Sequence, residues 1–216
     1  MRDMVTGSGD TTPSLAFTPS HRSPPPLTTA RLRRFHGGMS RPRSVPTDRL
    51  FFAVLPDPDT AARIAELARR LRTRHGLTGA PILPEHLHVT LLHVGDGIGL
   101  PPGLVATAIE RTEAVAMPRF RAEFDRVMSF KGGPLVLAGD DSVIGLEILH
   151  QRLSDAFDAR PRQARRFKPH LTLLRDRQRL AETAIEPIGW TASELVLVHS
   201  MLGLATHRHL ARFPLH

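Results

Sequence analysis

Two copies of one short pattern, His-x-Thr-x, constrain the fold of this chain more than any other feature of its sequence. The first copy begins at His88, within residues 84–91, and the second begins at His170, within residues 168–173. The copies lie 82 positions apart, and each follows a proline at the predicted start of a strand and, further back, a helical pattern. An internal duplication is the most economical explanation of this arrangement.

The repeated pattern places an imidazole beside a hydroxyl in each copy. Successive side chains of an extended strand point to opposite faces, so His88 projects together with Thr90, and His170 with Thr172. Histidine has an ordinary pKa near neutrality, and two imidazoles that face each other across a cleft can act as a general acid and a general base. A hydrogen-bonded core histidine would explain a single copy, but the repetition favours a catalytic role.

Hydrophobic periodicity and turn residues predict strands and helices that alternate after residue 48. Asp57 is predicted to cap the first helix, with Pro58 at its first position and Gly76 at its end. Ser142 is predicted to cap the third helix. The predicted strands cover residues 50–55, 87–94, 120–125, 135–138, 195–200 and 208–215 together with the second motif, and the predicted helices cover 58–75, 104–112 and 142–157.

This order of elements predicts an α+β fold built from duplicated β-α-β-α-β units. Phe120, Ala122 and Phe124 alternate with charged residues, which indicates a strand with one face in solvent. A glycine-containing turn at residues 131–134 joins this strand to the next one as a hairpin. We expect two lobes of antiparallel sheet with outer helices, and a central groove between the lobes that carries the two motifs.

Composition limits the class of protein. The 216 residues suffice for a well-buried core in one domain or in two small lobes. The absence of cysteine excludes disulfides and thiolate metal sites, and no apolar run approaches the roughly 18 residues that span a bilayer, so we expect a cytoplasmic protein without membrane contact. The net charge of +8 permits an RNA-like substrate. However, arginine supplies every strongly basic position except Lys131 and Lys168, which a lineage bias would equally explain.

Residues 1–47 are predicted to form a disordered tail, and residues 48–216 the folded domain. The tail is rich in Pro, Ser, Thr, Gly and Arg without a sustained apolar period, so it cannot bury enough surface to offset its ordering entropy. A transit-type segment or a start assigned too early, with Met39 as the true start, would account for it, and the second fits better. The basic residues within 160–166 form either a solvated surface or a rim that attracts a phosphodiester.

The paired motifs resemble those of the two-histidine phosphoesterases, in particular their RNA 2′,3′-cyclic phosphodiesterase branch, the LigT-like 2′-5′ RNA ligases. Residues 49–54 resemble that family's first strand and residues 190–215 its end, so nearly everything after residue 48 is covered. His86 stands where asparagine is frequent, and His93 where an aromatic residue is usual. The resemblance implies an RNA 2′,3′-cyclic phosphodiesterase, a hydrolase without metal or cofactor that acts on RNA or a nucleotide with a 2′,3′-cyclic phosphate.

Hydrolysis of a cyclic phosphate requires a base that deprotonates water and an acid that protonates the leaving ribose oxygen. Two histidines in opposite protonation states meet that demand, and Thr90 and Thr172 can donate hydrogen bonds to the non-bridging oxygens. The resemblance implies that His88 is the proton donor and His170 the proton acceptor. It also implies that the 3′ oxygen leaves, so that the product carries a 2′-phosphate.

The resemblance implies two supporting side chains as well. Arg175 stands where the family carries an arginine that contacts phosphate. Strict alternation puts Arg175 on the face opposite His170, so it reaches the phosphate only if the strand ends or twists there. Phe51 and Phe52 are core candidates, but the resemblance implies that an aromatic residue of this strand, Phe52, supports the base.

Three other histidines leave alternatives open. His86 shares the parity of His88 and lies either in the groove or at the surface. His207 and His209 suggest a metal site, but no carboxylate or cysteine stands beside them at ligand spacing. A surface strand explains this pair better, and we expect no metal.

Two other functions compete with hydrolysis. A 2′-5′ RNA ligase would run the reverse chemistry in the same site, and a non-catalytic RNA or nucleotide binder would keep the groove without turnover. Retention of both histidines and both threonines favours catalysis, because binding alone requires no matched acid and base. We expect the chain to act as a monomer.

Overall fold

The structure is a computed structural model that describes residues 45–158 and 167–216. Within these ranges it contains eight strands, three α-helices and two short 3₁₀ turns. The strands are β1 (Asp48–Val54), β2 (Val89–Gly97), β3 (Phe120–Ser129), β4 (Pro134–Ala138), β5 (His170–Arg175), β6 (Thr183–Ala192), β7 (Glu194–Met201) and β8 (Thr206–Pro214). The helices are α1 (Pro58–His75), α2 (Leu104–Glu113) and α3 (Ile144–Ala156), and the 3₁₀ turns are Pro84–His86 and Asp141–Val143.

The strands form one antiparallel sheet in the order β6-β3-β4-β5-β2-β1-β7-β8. The centre of this sheet is the contact between β5 and β2, where a single residue pair joins the two strands. Outward from this contact, β4, β3 and β6 lie on the side of β5, and β1, β7 and β8 lie on the side of β2. The predicted α+β class with an antiparallel sheet and outer helices is confirmed.

Helix α1 begins and ends where its sequence predicts. The Asp57 carboxylate accepts hydrogen bonds from the backbone N–H of Thr60 at 2.9 Å and from its hydroxyl at 2.8 Å. Pro58 occupies the first helical position, and Gly76 ends the helix in the left-handed conformation, with φ of 62°. Ile64 lies on the face that packs against the sheet and is fully buried.

Helix α3 begins differently from the prediction. Ser142 is not its cap, because this residue lies in the preceding 3₁₀ turn and its hydroxyl donates to the Glu123 carbonyl at 2.7 Å. The helix starts at Ile144, and Gly145 packs so tightly that a Cβ there would lie 2.2 Å from the Phe120 ring. The serine therefore links the turn to β3 instead of satisfying the first turn of the helix.

The second half of the chain departs from the predicted β-α-β-α-β order. Among the described residues, α3 is followed by four strands and no further helix. The unpredicted strand is β6, whose apolar pattern is interrupted by Pro187 and Gly189. Because β6 is an edge strand, it tolerates a proline, which has no N–H to donate to a neighbouring strand. Gly189 permits a close approach to β3, since a Cβ at this position would lie 2.8 Å from the Ala122 carbonyl oxygen.

The sheet buries apolar side chains on both faces. Phe52 belongs to the large core that includes residues of all three helices. Phe51 and Ala53, which alternate with it along β1, pack in a separate small cluster with Val196 and Val198 of β7. The helices therefore cover one face of the sheet, and this small cluster lies on the other.

Two predicted segments fall outside the described residues. These are residues 1–44 of the predicted tail and the whole of the basic segment 160–166. In the described ranges, no helix combines the length and the apolar character that crossing a membrane requires.

Candidate active site

The two motif strands are neighbours at the centre of the sheet. They pair antiparallel through the residues that follow the motif histidines, Val89 in β2 and Leu171 in β5. One step along an antiparallel strand is one step back along its partner, so this register places His88 across from Thr172. In the opposite direction, the same register places His170 across from Thr90.

The motif side chains lie on the sheet face opposite the helices, which we call the motif face. Thr90 pairs with Ala53, a member of the small cluster on that face. In β5, Leu171 and Leu173 are fully buried in the helix-side core, while Thr172 between them is only partly buried. The sheet thus brings the predicted catalytic and phosphate-binding residues of both motifs into one site.

Both motif histidines are held in the same way. The Nδ1 atom of His88 lies 2.7 Å from the carbonyl oxygen of His86, and that of His170 lies 2.7 Å from the carbonyl oxygen of Lys168. A carbonyl oxygen only accepts, so Nδ1 carries the proton and donates in each case. Nε2 is therefore the nitrogen that takes up and releases a proton in both rings.

An aromatic ring supports each motif histidine. The Phe51 ring centroid lies 5.0 Å from that of His88, and the Phe130 centroid lies 4.9 Å from that of His170. Phe130 directly follows β3, and its N–H donates to the carbonyl of Pro134 across the turn at 2.9 Å. Phe130 was not among the predicted site residues, and its signal in the sequence is an aromatic residue immediately before a glycine-containing turn.

The prediction for Phe52 is wrong. Its side chain is fully buried, and its ring lies 5.4 Å from Phe157 and 6.2 Å from Phe213 on the helix side of the sheet. Alternation along β1 places Phe51, and not Phe52, on the motif face. The aromatic residue of the first strand that contacts the site is therefore Phe51.

Each motif strand carries a β-bulge directly after its threonine, at Leu91 in β2 and at Leu173 in β5. In β2, Thr90 and Leu92 pair with consecutive residues of β1, so Leu91 has no partner in the ladder. In β5, Thr172 and Leu174 pair with consecutive residues of β4, so Leu173 has none. The repeat therefore includes a matched backbone irregularity as well as matched side chains. A bulge adds one residue to one strand, which reverses the alternation of the residues that follow.

The bulge in β5 brings Arg175 to the motif face. Leu173 and Leu174 are both fully buried in the helix-side core, which strict alternation would forbid. Arg175 therefore follows on the opposite face, where it is exposed and pairs with Pro134 of β4. The predicted phosphate-contacting residue thus shares a face with His170.

A loop packed against the end of β5 fixes the backbone of Arg175. The Asp176 carboxylate accepts hydrogen bonds from the N–H groups of Thr78 at 2.6 Å, Gly79 at 2.7 Å and Gln178 at 2.8 Å. These hydrogen bonds lower the pKa of Asp176 to about 2, and the bond from Gly79 has the largest effect. Only glycine fits at position 79, because a Cβ there would lie 2.0 Å from the carbonyl oxygen of Arg175.

His93 occupies in β2 the position that Arg175 occupies in β5. It pairs with Phe51 and so lies on the motif face, but its Nε2 lies 2.8 Å from a carboxylate oxygen of Asp96. Arg49 donates two hydrogen bonds of 2.8 Å to the same carboxylate. These bonds are the largest cause, and the contact with His93 the second, of a pKa of Asp96 far below its usual range. The charged groups at this end of the site therefore neutralise one another.

Two further imidazoles lie near the first motif histidine. The ring centroid of His207, on β8, is 5.4 Å from that of His88 and 5.9 Å from that of Phe51. The His86 ring lies 4.6 Å from His207. In the described ranges, no group of three or more His, Cys, Asp or Glu residues is arranged to hold a metal ion.

Burial keeps the imidazoles of His88 and His207 uncharged at neutral pH. Desolvation by burial lowers the pKa of His88 and is the largest effect. The hydrogen bond to the His86 carbonyl raises this pKa, and the nearby imidazoles of His170, His86 and His209 lower it. Burial, followed by the proximity of His88, lowers the pKa of His207 to about 4. Both rings are therefore neutral in the free protein near pH 7.

The sequence profile of the 2′-5′ RNA ligase superfamily matches residues 55–202, which is more than half of the chain and includes both motifs. The chain belongs to the 2′-5′ RNA ligase superfamily. The resemblance inferred from the paired motifs is thus confirmed, and membership of this two-histidine phosphoesterase superfamily supports phosphodiester chemistry. Among proteins with curated functions, none is significantly similar to this superfamily member in sequence.

Solved structures share the fold of this superfamily member. TT0787 of Thermus thermophilus is 22% identical with a TM-score of 0.63, and the match covers 77% of this chain and 97% of that one. E. coli LigT complexed with 3′-AMP is 25% identical with a TM-score of 0.60, covering 79% of this chain and 99% of LigT. LigT in its apo form is 26% identical, with the same coverage and a TM-score of 0.60.

Proposed function

We propose that this chain is a metal-independent phosphodiesterase that hydrolyses RNA 2′,3′-cyclic phosphate ends, or small cyclic nucleotides, to 2′-phosphomonoesters. The observation that carries the proposal is the matched anchoring of His88 and His170, each through Nδ1 to the carbonyl two residues earlier, on neighbouring strands and one face. This arrangement leaves both Nε2 atoms free to act on one face of the sheet. A binding site for RNA alone does not require such a pair.

In the proposed reaction, Nε2 of neutral His170 accepts a proton from water, and the water oxygen forms a bond to phosphorus. The bond between phosphorus and the 3′ oxygen breaks, and Nε2 of protonated His88 donates its proton to that oxygen. Thr90 and Thr172 donate hydrogen bonds to the non-bridging oxygens, and the guanidinium of Arg175 offsets their negative charge. The product carries a 2′-phosphate and a free 3′-hydroxyl.

The lowered pKa of His88 fits the role of an acid that is formed when substrate binds. In the free protein His88 is mostly neutral near pH 7, because burial disfavours the imidazolium. A cyclic phosphate is an anion, and its charge beside the ring stabilises the protonated form. An imidazolium with a low intrinsic pKa then transfers its proton readily to the leaving oxygen.

The nature of the substrate is supported by the ligands of a structural relative. LigT of E. coli has been crystallised with 3′-AMP, with ATP and with NADP+. We infer that RNA or a nucleotide occupies the corresponding groove here. All four motif side chains come from one chain, so the proposed site needs no second copy, and a monomer in the cytoplasm remains our expectation for an RNA-directed activity.

RNA ligation is the second candidate, and the superfamily description favours it. A 5′-hydroxyl in place of water would attack the same phosphorus and expel the same 3′ oxygen, which leaves a 2′-5′ linkage. The histidines would keep their roles in that direction and exchange them in the reverse one. Incubation of a 5′-hydroxyl RNA with a cyclic-phosphate RNA, followed by gel analysis, separates ligation from hydrolysis.

The deciding experiment compares turnover and binding of a 2′,3′-cyclic nucleotide in wild type, His88→Ala and His170→Ala, with His75→Ala on the helix side as the matched control. We expect each motif variant to lose turnover while it retains measurable binding, and wild-type turnover to persist in excess EDTA. Full turnover in either motif variant, or loss in EDTA that Mg²⁺ or Mn²⁺ restores, would rule out the two-histidine mechanism. Tight binding without wild-type turnover would establish the non-catalytic binder.

A further inference from the structure

The two motif histidines, although anchored alike, have different surroundings. Within the described part of the chain, one ring, that of Phe130, contacts His170. His88 contacts two rings, Phe51 at 5.0 Å and His207 at 5.4 Å. The additional imidazole is thus a feature of the first motif alone, and it breaks the symmetry of the duplicated site.

The contact between His207 and His88 depends on the curvature of the sheet. Strand β8 is three strands away from β2, which corresponds to roughly 14 Å in a flat sheet at about 4.8 Å per strand. The ring centroids nevertheless lie only 5.4 Å apart. Bulges bend and twist strands, and β8 has one at Leu210 in addition to that at Leu91 in β2. The curved sheet thus brings an edge strand over the first motif.

We propose that His207 is a positioning residue for His88: its ring, beside that of Phe51, shields His88 from water and so makes the two motif histidines unequal. This inference rests on the proposed function, because only a pair that must differ in protonation state benefits from unequal surroundings. His207 is partly buried and also contacts Phe51 and His86, so its ring is itself held in place. His209, on the same strand, is exposed and makes no ring contact with His88 among the described residues.

The shielding acts through the bulk of the ring and not through its charge. Burial is the largest cause of the lowered pKa of His88, and the imidazoles whose charges also lower it are His170, His86 and His209. The pKa of His207 itself is lowered to about 4, so this ring is uncharged throughout the range in which His88 is expected to work. A flat apolar ring should therefore replace it, whereas a small side chain should not.

The test is a pH titration of the histidine rings by NMR in ¹⁵N-histidine-labelled wild type, His207→Phe, His207→Ala and the control His75→Ala, which changes a ring at the end of α1. We expect His207→Ala to raise the pKa of His88 by about one unit as water reaches the ring, and to leave that of His170 unchanged. His207→Phe should keep the wild-type value within a few tenths of a unit. His207→Thr, which suits a strand and also lacks a ring, replaces the alanine variant if that variant does not fold.

The activity readout uses the same variants. The pH profile of kcat/KM should be bell-shaped, with its acidic break set by the lower pKa of the coupled pair. That break should move to higher pH in His207→Ala, together with the NMR pKa of His88, and stay in place in His207→Phe. The inference is overturned if the small-residue variant leaves the pKa of His88 unchanged, shifts both motif histidines equally, or is matched by His207→Phe. Because the NMR titration needs no turnover, its result stands apart from any failure of the proposed reaction.

Discussion

Val89 and Leu171 form the one described residue pair between β2 and β5, and each directly follows a motif histidine. This pair is the point about which the two halves of the site are arranged. From it, the histidine of each motif lies across from the threonine of the other, and a bulge follows each threonine. The duplicated sequence thus produces a duplicated local geometry, from which several outcomes can be predicted.

Replacement of a motif histidine should reduce activity more than replacement of a motif threonine. We expect His88→Ala or His170→Ala to reduce kcat/KM for a 2′,3′-cyclic nucleotide by about 10²- to 10⁴-fold, because a proton transfer is lost. Thr90→Ala or Thr172→Ala should cost about 10- to 100-fold, the value of one hydrogen bond to a charged oxygen. Serine at either position keeps the hydroxyl and should restore most of the activity. Equal losses for threonine and histidine would contradict the assigned roles.

The proton donor can be identified by changing the leaving group. We expect His88→Ala to lose far less activity on thymidine 5′-(p-nitrophenyl phosphate) than on a cyclic nucleotide, because p-nitrophenolate leaves without protonation. His170→Ala should lose similar factors on both substrates, since both require activated water. Steady-state rates for the two variants on the two substrates provide the measurement. The opposite pattern would exchange the roles of the two histidines.

The free energy of unfolding should decrease as the pH falls from about 6.5 toward 4. The pKa of His207 is lowered to about 4 from 6.5, and that of His88 is lowered as well. Between those values the folded protein binds fewer protons than the unfolded chain, so protons favour unfolding and the stabilisation present above pH 6.5 is lost. Urea unfolding at several pH values tests this, with a smaller decrease expected for His207→Phe. Stability that rises on acidification through this window would contradict the lowered pKa values.

The product should be the 2′-monophosphate. If His88 protonates the 3′ oxygen, the phosphate stays on the 2′ oxygen, and chromatography against 2′- and 3′-monophosphate standards shows which isomer forms. The chromatography is carried out at early time points, so that it identifies the first product formed. A predominant 3′-phosphate would mean that the substrate binds in the opposite direction, with the donor and acceptor exchanged.

Gly79→Ala should displace the end of β5. A Cβ at this position would lie 2.0 Å from the carbonyl oxygen of Arg175, so the loop and the strand must separate. We expect a loss of about 1–3 kcal/mol in the free energy of unfolding, together with a raised KM as Arg175 moves. Gly95→Ala is the matched control, because its Cβ would meet its nearest atom at an ordinary 3.7 Å. An unchanged KM in a destabilised Gly79→Ala would show that Arg175 does not contact the substrate.

The sequence predicted those features that depend on neighbouring residues. The cap at Asp57, the end of α1 at Gly76 and the common face of the histidine and threonine in each motif all follow from local conformation. The Ser142 cap was wrong because a tertiary partner, the Glu123 carbonyl, took its hydroxyl. Strand β6 was missed because its edge position permits a proline that a central strand would exclude.

The sequence by itself determined that two equivalent strands would each present an imidazole and a hydroxyl, because alternation along a strand is a local property. Only the tertiary structure decided which other side chains join them. Arg175 shares their face because a bulge at Leu173 reverses the alternation, and a bulge depends on pairing with β4. His207 reaches His88 because the sheet curves over three strands, and that curvature results from bulges, twist and packing that no short segment specifies.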